Sequence, residues 1–169
     1  MIKTGFESNI SAASALVTMY AKCSSIKYAH KVFKRETKHD LILWSAMLTE
    51  YAHANFGEEA LDLFFKKQRA SMKSDQFIFV SILQACASLE TLGYGKEIHT
   101  HIIKIGYGLD VSMGNCLLNM HRKCGSTDDV RELFFLMTKQ DMGSCSTVIS
   151  GYAHNNCGEK ALSHFCEMK

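Results

Sequence analysis

The chain has 169 residues, of which 47% are hydrophobic and 21% charged, and its formal net charge is +2. That apolar fraction supports a packed core and excludes wholesale disorder, while the mild basicity permits a nucleic-acid partner without requiring one. No run of about 18 apolar residues is present to span a membrane, and the first residues, MIKTGFESN, contain neither an apolar secretory segment nor an Arg/Ser-rich presequence.

Residues 1–9 read as the tail of a preceding unit, because Gly5-Phe6 pairs with Gly106-Tyr107 at an offset of 101 residues. The same offset maps Leu16, Met19, Lys22, Cys23, Ser25 and Phe33 onto Leu117, Met120, Lys123, Cys124, Ser126 and Phe134. An ordered series at one offset indicates internal duplication. Acidic corners at Asp40, Asp75, Asp110 and Asp141 subdivide the duplicated block into units 10–40, 41–75, 76–110 and 111–141, with an incomplete unit over 142–169. These units are 31, 35, 35 and 31 residues long. Each can hold two helices joined by a tight turn.

In unit 41–75 the first helix is expected over 42–53, with Ile42, Trp44, Met47, Leu48 and Tyr51 on its packed side. After a break at 54–57, a second helix over 58–69 turns Ala60, Leu61, Phe64 and Phe65 inward and leaves Glu58, Glu59, Asp62, Lys66 and Lys67 facing water. Unit 76–110 repeats the plan with Phe77, Phe79, Ile82, Leu83 and Ala85, then Tyr94, Ile98, His101 and Ile102 after a break at 89–91. In the final unit Leu162 and Phe165 remain available for another neighbour, which leads us to expect a piece of a longer array or a truncated gene product.

Seven cysteines occur without a C-x-x-C pair, and we read Cys23 and Cys124 as repeated small core residues among free thiols. His99 and His101 cannot face one another on a helix, and Cys157, His164 and Cys166 are too loosely spaced for a zinc site. The sequence therefore assigns no metal, no cofactor and no catalytic residue.

The paired-helix units resemble the pentatricopeptide repeat family, in particular the plant subclass that alternates short, ordinary and long motifs. The stretches that carry the resemblance are 16–25 (LVTMYAKCSS), 29–33 (AHKVF), 40–51 (DLILWSAMLTEY), 57–64 (GEEALDLF), 81–89 (SILQACASL) and 95–106 (GKEIHTHIIKIG). Related stretches return at 119–126, 151–153 and 158–162, so the likeness runs along essentially the whole chain. The sequence departs from the family pattern at Glu36-Thr37, Met137-Thr138 and Lys73-Ser74-Asp75, and Cys145 replaces the tryptophan represented by Trp44. The resemblance implies an all-α, right-handed α-α superhelical solenoid of stacked helical hairpins, with first helices lining a concave surface.

The resemblance also implies that the fifth and last residues of each unit choose an RNA base. The resulting pairs are Ser14/Asp40, Ser45/Asp75, Val80/Asp110 and Asn115/Asp141, and Ser146 begins another. By that analogy the two Ser/Asp pairs prefer guanine and Asn115/Asp141 prefers uracil, whereas Val80 cannot hydrogen-bond and its unit acts as a spacer. Second-position residues sandwich bases; Ile42 and Phe77 offer apolar surface, while Ser11, Ser112 and Gly143 offer little. Lys22, Arg122 and Lys123 are candidate phosphate contacts. The plainer reading of the four aspartates is helix N-capping, and Trp44 and Tyr51 read as packing residues.

The implied function is sequence-selective binding of single-stranded organellar RNA in transcript processing or C-to-U editing, in a mitochondrion or chloroplast, with the mitochondrion preferred. Editing accessory proteins, or a deaminase supplied by an absent C-terminal region or in trans, would then provide the chemistry. A protein-binding helical-repeat scaffold is the alternative.

Overall fold

In a computed structural model, residues 10–23, 25–36, 39, 41–69 and 75–167 are described. They form ten helices, with no strand among the described residues: α1 (Ile10–Lys22), α2 (Ile26–Arg35), α3 (Leu41–His53), α4 (Gly57–Arg69), α5 (Gln76–Leu89), α6 (Leu92–Lys104), α7 (Val111–Lys123), α8 (Thr127–Leu136), α9 (Met142–His154) and α10 (Gly158–Glu167). They group into two compact units, residues 1–85 and 86–169, with α5 carrying the chain from one to the other.

Five helix pairs share one closing device. The backbone N–H of Ser25 donates to the Tyr20 carbonyl, Phe56 to Tyr51, Thr91 to Cys86, Ser126 to His121 and Cys157 to Tyr152, at 2.8 to 3.1 Å. Such a bond back over five residues satisfies a helix-end carbonyl that has no partner within the helix. It accompanies a left-handed residue in four pairs: Asn55 (φ 66°), Glu90 (φ 53°), Gly125 (φ 74°) and Asn156 (φ 58°). The accepting carbonyls follow one another at intervals of 31, 35, 35 and 31 residues.

In the first unit, α1 packs on α2 and α3, and α3 on α4. Leu43, Met47, Leu48 and Tyr51 form the buried stripe of α3, with Leu43, Met47 and Tyr51 one helical turn apart. Phe64 is fully buried and meets Phe65 and Phe79 edge to face, and the Thr49 and Ser81 hydroxyls bond at 3.0 Å. Trp44 packs its edge against Phe33 and His39, so this tryptophan serves packing. His30 Nδ1 and the Tyr51 hydroxyl form a short hydrogen bond between α2 and α3.

In the second unit, α7 packs on α6, α8 and α9, and α9 on α8 and α10. Leu117, Leu118, Met120, Val130, Leu133, Val148 and Tyr152 supply its core. Gly95 lets α6 approach α7 so closely that a Cβ there would collide with the Met120 side chain. Leu162 and Phe165 of α10 are exposed, as the spacing predicts.

Several expected orientations are corrected. Lys67, expected in water, is fully buried, because it follows Ala60 and Phe64 at i+7 and i+3 on the packed stripe of α4. Burial pushes its amine below the ordinary lysine range, against the opposing influence of Asp75. Ile42, Phe77 and Tyr94, expected among packed residues, are 62%, 79% and 48% exposed. The stripe uses Leu43 and Ile78 instead, about 100° farther round each helix. Cys23 is exposed and Cys124 half-buried, so neither is a small core residue.

Candidate nucleic-acid interface

The aspartates ahead of the first helices meet a plain backbone requirement. The first turn of a helix leaves amide donors without partners, and a carboxylate one residue before it can accept them. Asp75 accepts from the Ile78 amide at 2.9 Å, Asp110 from Met113 at 2.8 Å and Asp141 from Ser144 at 2.7 Å. Asp141 also closes a capping box, its own N–H donating to Ser144 Oγ at 2.8 Å. N-capping is therefore the observed role of these three residues; Asp40 lies outside the described residues.

Beside Asp141 stands Asn115 of α7, whose Nδ2 donates to Asp141 Oδ1 at 3.3 Å. The structure thus joins the fifth and last residues of unit 111–141. The Ser144 amide, then the Asn115 amide, hold the Asp141 carboxyl below its ordinary range, so it stays ionised and acts only as an acceptor. The Asn115 carbonyl Oδ1 is shielded from solvent and has no hydrogen-bond partner.

The other fifth-position residues differ. Ser14 is buried, Ser45 is half-buried with its hydroxyl donating to the Leu41 carbonyl at 2.7 Å, Val80 is half-buried and Ser146 is exposed. At second positions, Ile42, Phe77, Ser112 and Gly143 all face solvent, while the side chain of Ser11 lies outside the described set. Phe77, at 79% exposure, leaves an aromatic ring in water without any packing gain. Lys22 and Lys123 are exposed, whereas Arg122 is half-buried, donates to Asn119 Oδ1 at 2.8 Å and lies against Gly151.

A second polar group, which the sequence reading missed, joins α6, α7 and α8. His121 is 1% exposed, and its Nε2 lies 3.3 Å from His99 Nδ1. On the far side of its ring, Nδ1 lies 3.6 Å from Asp129 Oδ2, which also receives Lys96 Nζ at 2.8 Å and the Ser126 hydroxyl. Burial pushes His121 down to about 4, with His99 acting in the same direction, Asp129 opposing and Lys96 reinforcing. His99 is likewise lowered by burial, against Asp129 and Glu132. Burial favours the neutral carboxyl of Asp129, yet Lys96, Ser126 and His121 together bring it below the ordinary range. The group borders a cavity of about 310 Å³ whose other walls include Ile103 and Leu136. Among the described residues, no three His, Cys, Asp or Glu side chains converge to hold a metal ion. No described helix is long and apolar enough to cross a membrane.

The signal for the histidine pair lay in the repeat register. His99 is eighth in α6, where Phe33, Phe64, Phe134 and Phe165 stand in the other second helices. His121 accepts the hairpin-closing bond, as Tyr20, Tyr51 and Tyr152 do.

Comparison with known proteins places this geometry. The family model described as PPR repeat matches residues 42–71, 115–142 and 143–169. Among curated relatives from Arabidopsis thaliana, pentatricopeptide repeat-containing protein At2g33680 is 39% identical over 168 residues. Two others, At1g15510, named chloroplastic, and At3g09040, named mitochondrial, are each 34% identical over 165 and 167 residues. The matches cover 98% to 99% of this chain but only 23%, 19% and 16% of those proteins, respectively. The crystal structure of PPR10 from maize matches with a TM-score of 0.77 at 18% identity, covering 94% of this chain and 24% of that one. PPR10 in complex with an 18-nt psaJ RNA element matches with a TM-score of 0.59 at 14% identity, covering 99% of this chain and 29% of that one. These structural likenesses show an all-α helical-repeat fold. With the repeat model covering half of its residues, the chain belongs to the pentatricopeptide repeat family.

Proposed function

We propose that this chain binds single-stranded RNA and contributes base selectivity through residues at the starts of its first helices. The observation that carries the reading is the Asn115–Asp141 hydrogen bond. It sets an ionised, acceptor-only carboxylate, exposed to solvent, beside an amide. A base edge offering an N–H donor, such as N3–H of uracil, would be met by that exposed carboxylate. Ser14/Asp40 and Ser45/Asp75 would prefer guanine, and the incomplete pair begun by Ser146 would address a further base. Val80/Asp110 would act as a spacer, and Ile42 and Phe77 would stack on bases. The match to an RNA-bound family structure supports the choice of ligand class.

The finer assignment is a motif array of alternating short, ordinary and long units in a mitochondrial or chloroplast protein, as the names of two relatives suggest. Within transcript processing or C-to-U editing, this chain would supply targeting, and chemistry would come from another region or an accessory protein. Selection from a random pool of short single-stranded RNAs tests the reading. Ordered guanine and uracil preferences are expected, with the uracil preference altered by Asn115→Ser. Equal binding of all sequences would overturn base reading.

A further inference from the structure

We infer that the exposed side of α2 is a second RNA contact, which grips the sugar-phosphate backbone outside the bases read at the first helices and does so without sequence choice. It extends the RNA-binding reading above onto a separate set of residues. The ten residues of α2 include Lys27, Lys31, Lys34 and Arg35 and neither Asp nor Glu, whereas the whole chain has a formal charge of only +2. The remaining residues are therefore net negative, and positive charge is concentrated on this one helix.

At about 100° per residue the four cations fall within an arc of roughly 100°, opposite the buried Ala29 and Phe33. All four are exposed. Among the described residues no carboxylate lies within ion-pair distance of them. At the edge of this face Tyr28 stacks on Tyr20 of α1, with ring centroids 5.6 Å apart, and Lys31 Nζ stands 5.4 Å from the Tyr28 centroid. The stack ties α2 to α1 and holds Lys31 over an aromatic ring.

Folding does not ask for this arrangement. Lys34 and Arg35 suit the negative end of the helix, but Lys27 stands in the first turn, where a cation opposes the helix dipole. Lys27 and Lys31, and again Lys31 and Arg35, place like charges one turn apart, which weakens a helix. Nor does the repeat require it. At the duplicated positions 101 residues on, α8 carries Asp128, Glu132, Phe135 and Leu136. A surface that repels itself when bare is relieved by a polyanion. RNA fits better than a lipid surface, because a helix lying on a membrane sinks its apolar side among the headgroups. Here that side, Ala29 and Phe33, is already buried within the protein. A strand engaged at the first helices also presents its flanking phosphates at high effective concentration.

The test uses the full 169-residue chain and RNA recovered from random-pool selection with its unselected flanks retained. One variant combines Lys27→Gln, Lys31→Gln, Lys34→Gln and Arg35→Gln; a second combines Lys27→Arg, Lys31→Arg, Lys34→Arg and Arg35→Lys. Affinity is titrated over a series of salt concentrations. Each lost phosphate contact removes about 0.7 from the slope of log affinity against log salt, so the glutamine variant should lose about 2. It should bind about tenfold or more weakly at low salt, with guanine and uracil preferences unchanged, while the charge-conserving variant keeps both slope and affinity. The thermal midpoint of the glutamine variant should hold or rise, since the like-charge pairs are gone. An unchanged slope with intact base preferences overturns the α2 contact and leaves base reading standing. A slope lost in the glutamine variant of a chain that shows no base preference supports the contact while base reading fails. No RNA binding by the wild-type chain overturns both. Vesicles of phosphatidylcholine and phosphatidylglycerol supply the last arm: binding that needs the four cations, with the RNA slope unchanged, gives the face to lipid headgroups and overturns the inference.

Discussion

His121 presents Nε2 to His99 Nδ1 at 3.3 Å and Nδ1 to Asp129 Oδ2 at 3.6 Å, so one buried imidazole lies between a second imidazole and a carboxylate. The carboxylate favours a proton on His121 Nδ1, leaving Nε2 to accept from His99. Both rings are then neutral, in agreement with their lowered proton affinities.

Stability should consequently fall with acid over a defined window. His121 titrates near 6.5 when unfolded and at about 4 when folded, so the unfolded chain takes up the proton first. Its contribution is fully present above pH 6.5 and is lost as pH falls toward 4, reaching about 3 kcal/mol if that displacement is fully expressed. His99 acts in the same direction, whereas the contribution of Asp129 is present throughout this window and is lost only below the ordinary carboxylate range. Urea denaturation at pH 7, 6 and 5 checks this. His121→Tyr, the residue found at positions 20, 51 and 152, should flatten the slope; a wild-type midpoint constant over the window would contradict it.

Phe77→Ala separates folding from binding. The ring is 79% exposed, so its loss should alter unfolding free energy by no more than about 0.5 kcal/mol. If a base stacks on it, RNA affinity should fall by about 1–3 kcal/mol. Paired thermal melts and fluorescence-anisotropy titrations give the two readings. A large stability loss with unchanged affinity would make the ring structural.

Asp110→Ala should destabilise the chain by about 1 kcal/mol, because the Met113 amide loses its acceptor. Asp110→Asn keeps an acceptor and should recover most of that loss in urea denaturation. Since Asp110 pairs with Val80 in the proposed spacer unit, neither change should alter base preference. A new preference would refute the spacer assignment.

The fold was legible because duplication exposes the register and aspartates mark helix starts. The sequence predicts breaks around residues 54–57 and 89–91, where left-handed Asn55 and Glu90 close the turns. Facing was harder to read. Ile42 and Leu43 are adjacent apolar residues, and a rotation of about 100° decides which is buried. The charge of Lys67 points to water, although its spacing from Ala60 and Phe64 puts it inside. Of the candidate interface, capping was readable from local chemistry, and Asn115 lies within hydrogen-bond distance of Asp141. The pairing of His99 with His121 is not readable from local spacing, because the two meet across helices, 22 residues apart.

The hairpin-closing bonds also bear on how the chain reaches its folded state. Each links residues only five positions apart, and the 169 residues include no proline. Helix pairs can therefore form from contacts close in sequence, without waiting for the slow cis-trans isomerisation of an X-Pro bond. Refolding is freed from a step that commonly takes tens of seconds, and the rate is left to helix formation, hairpin closure and docking of neighbouring pairs.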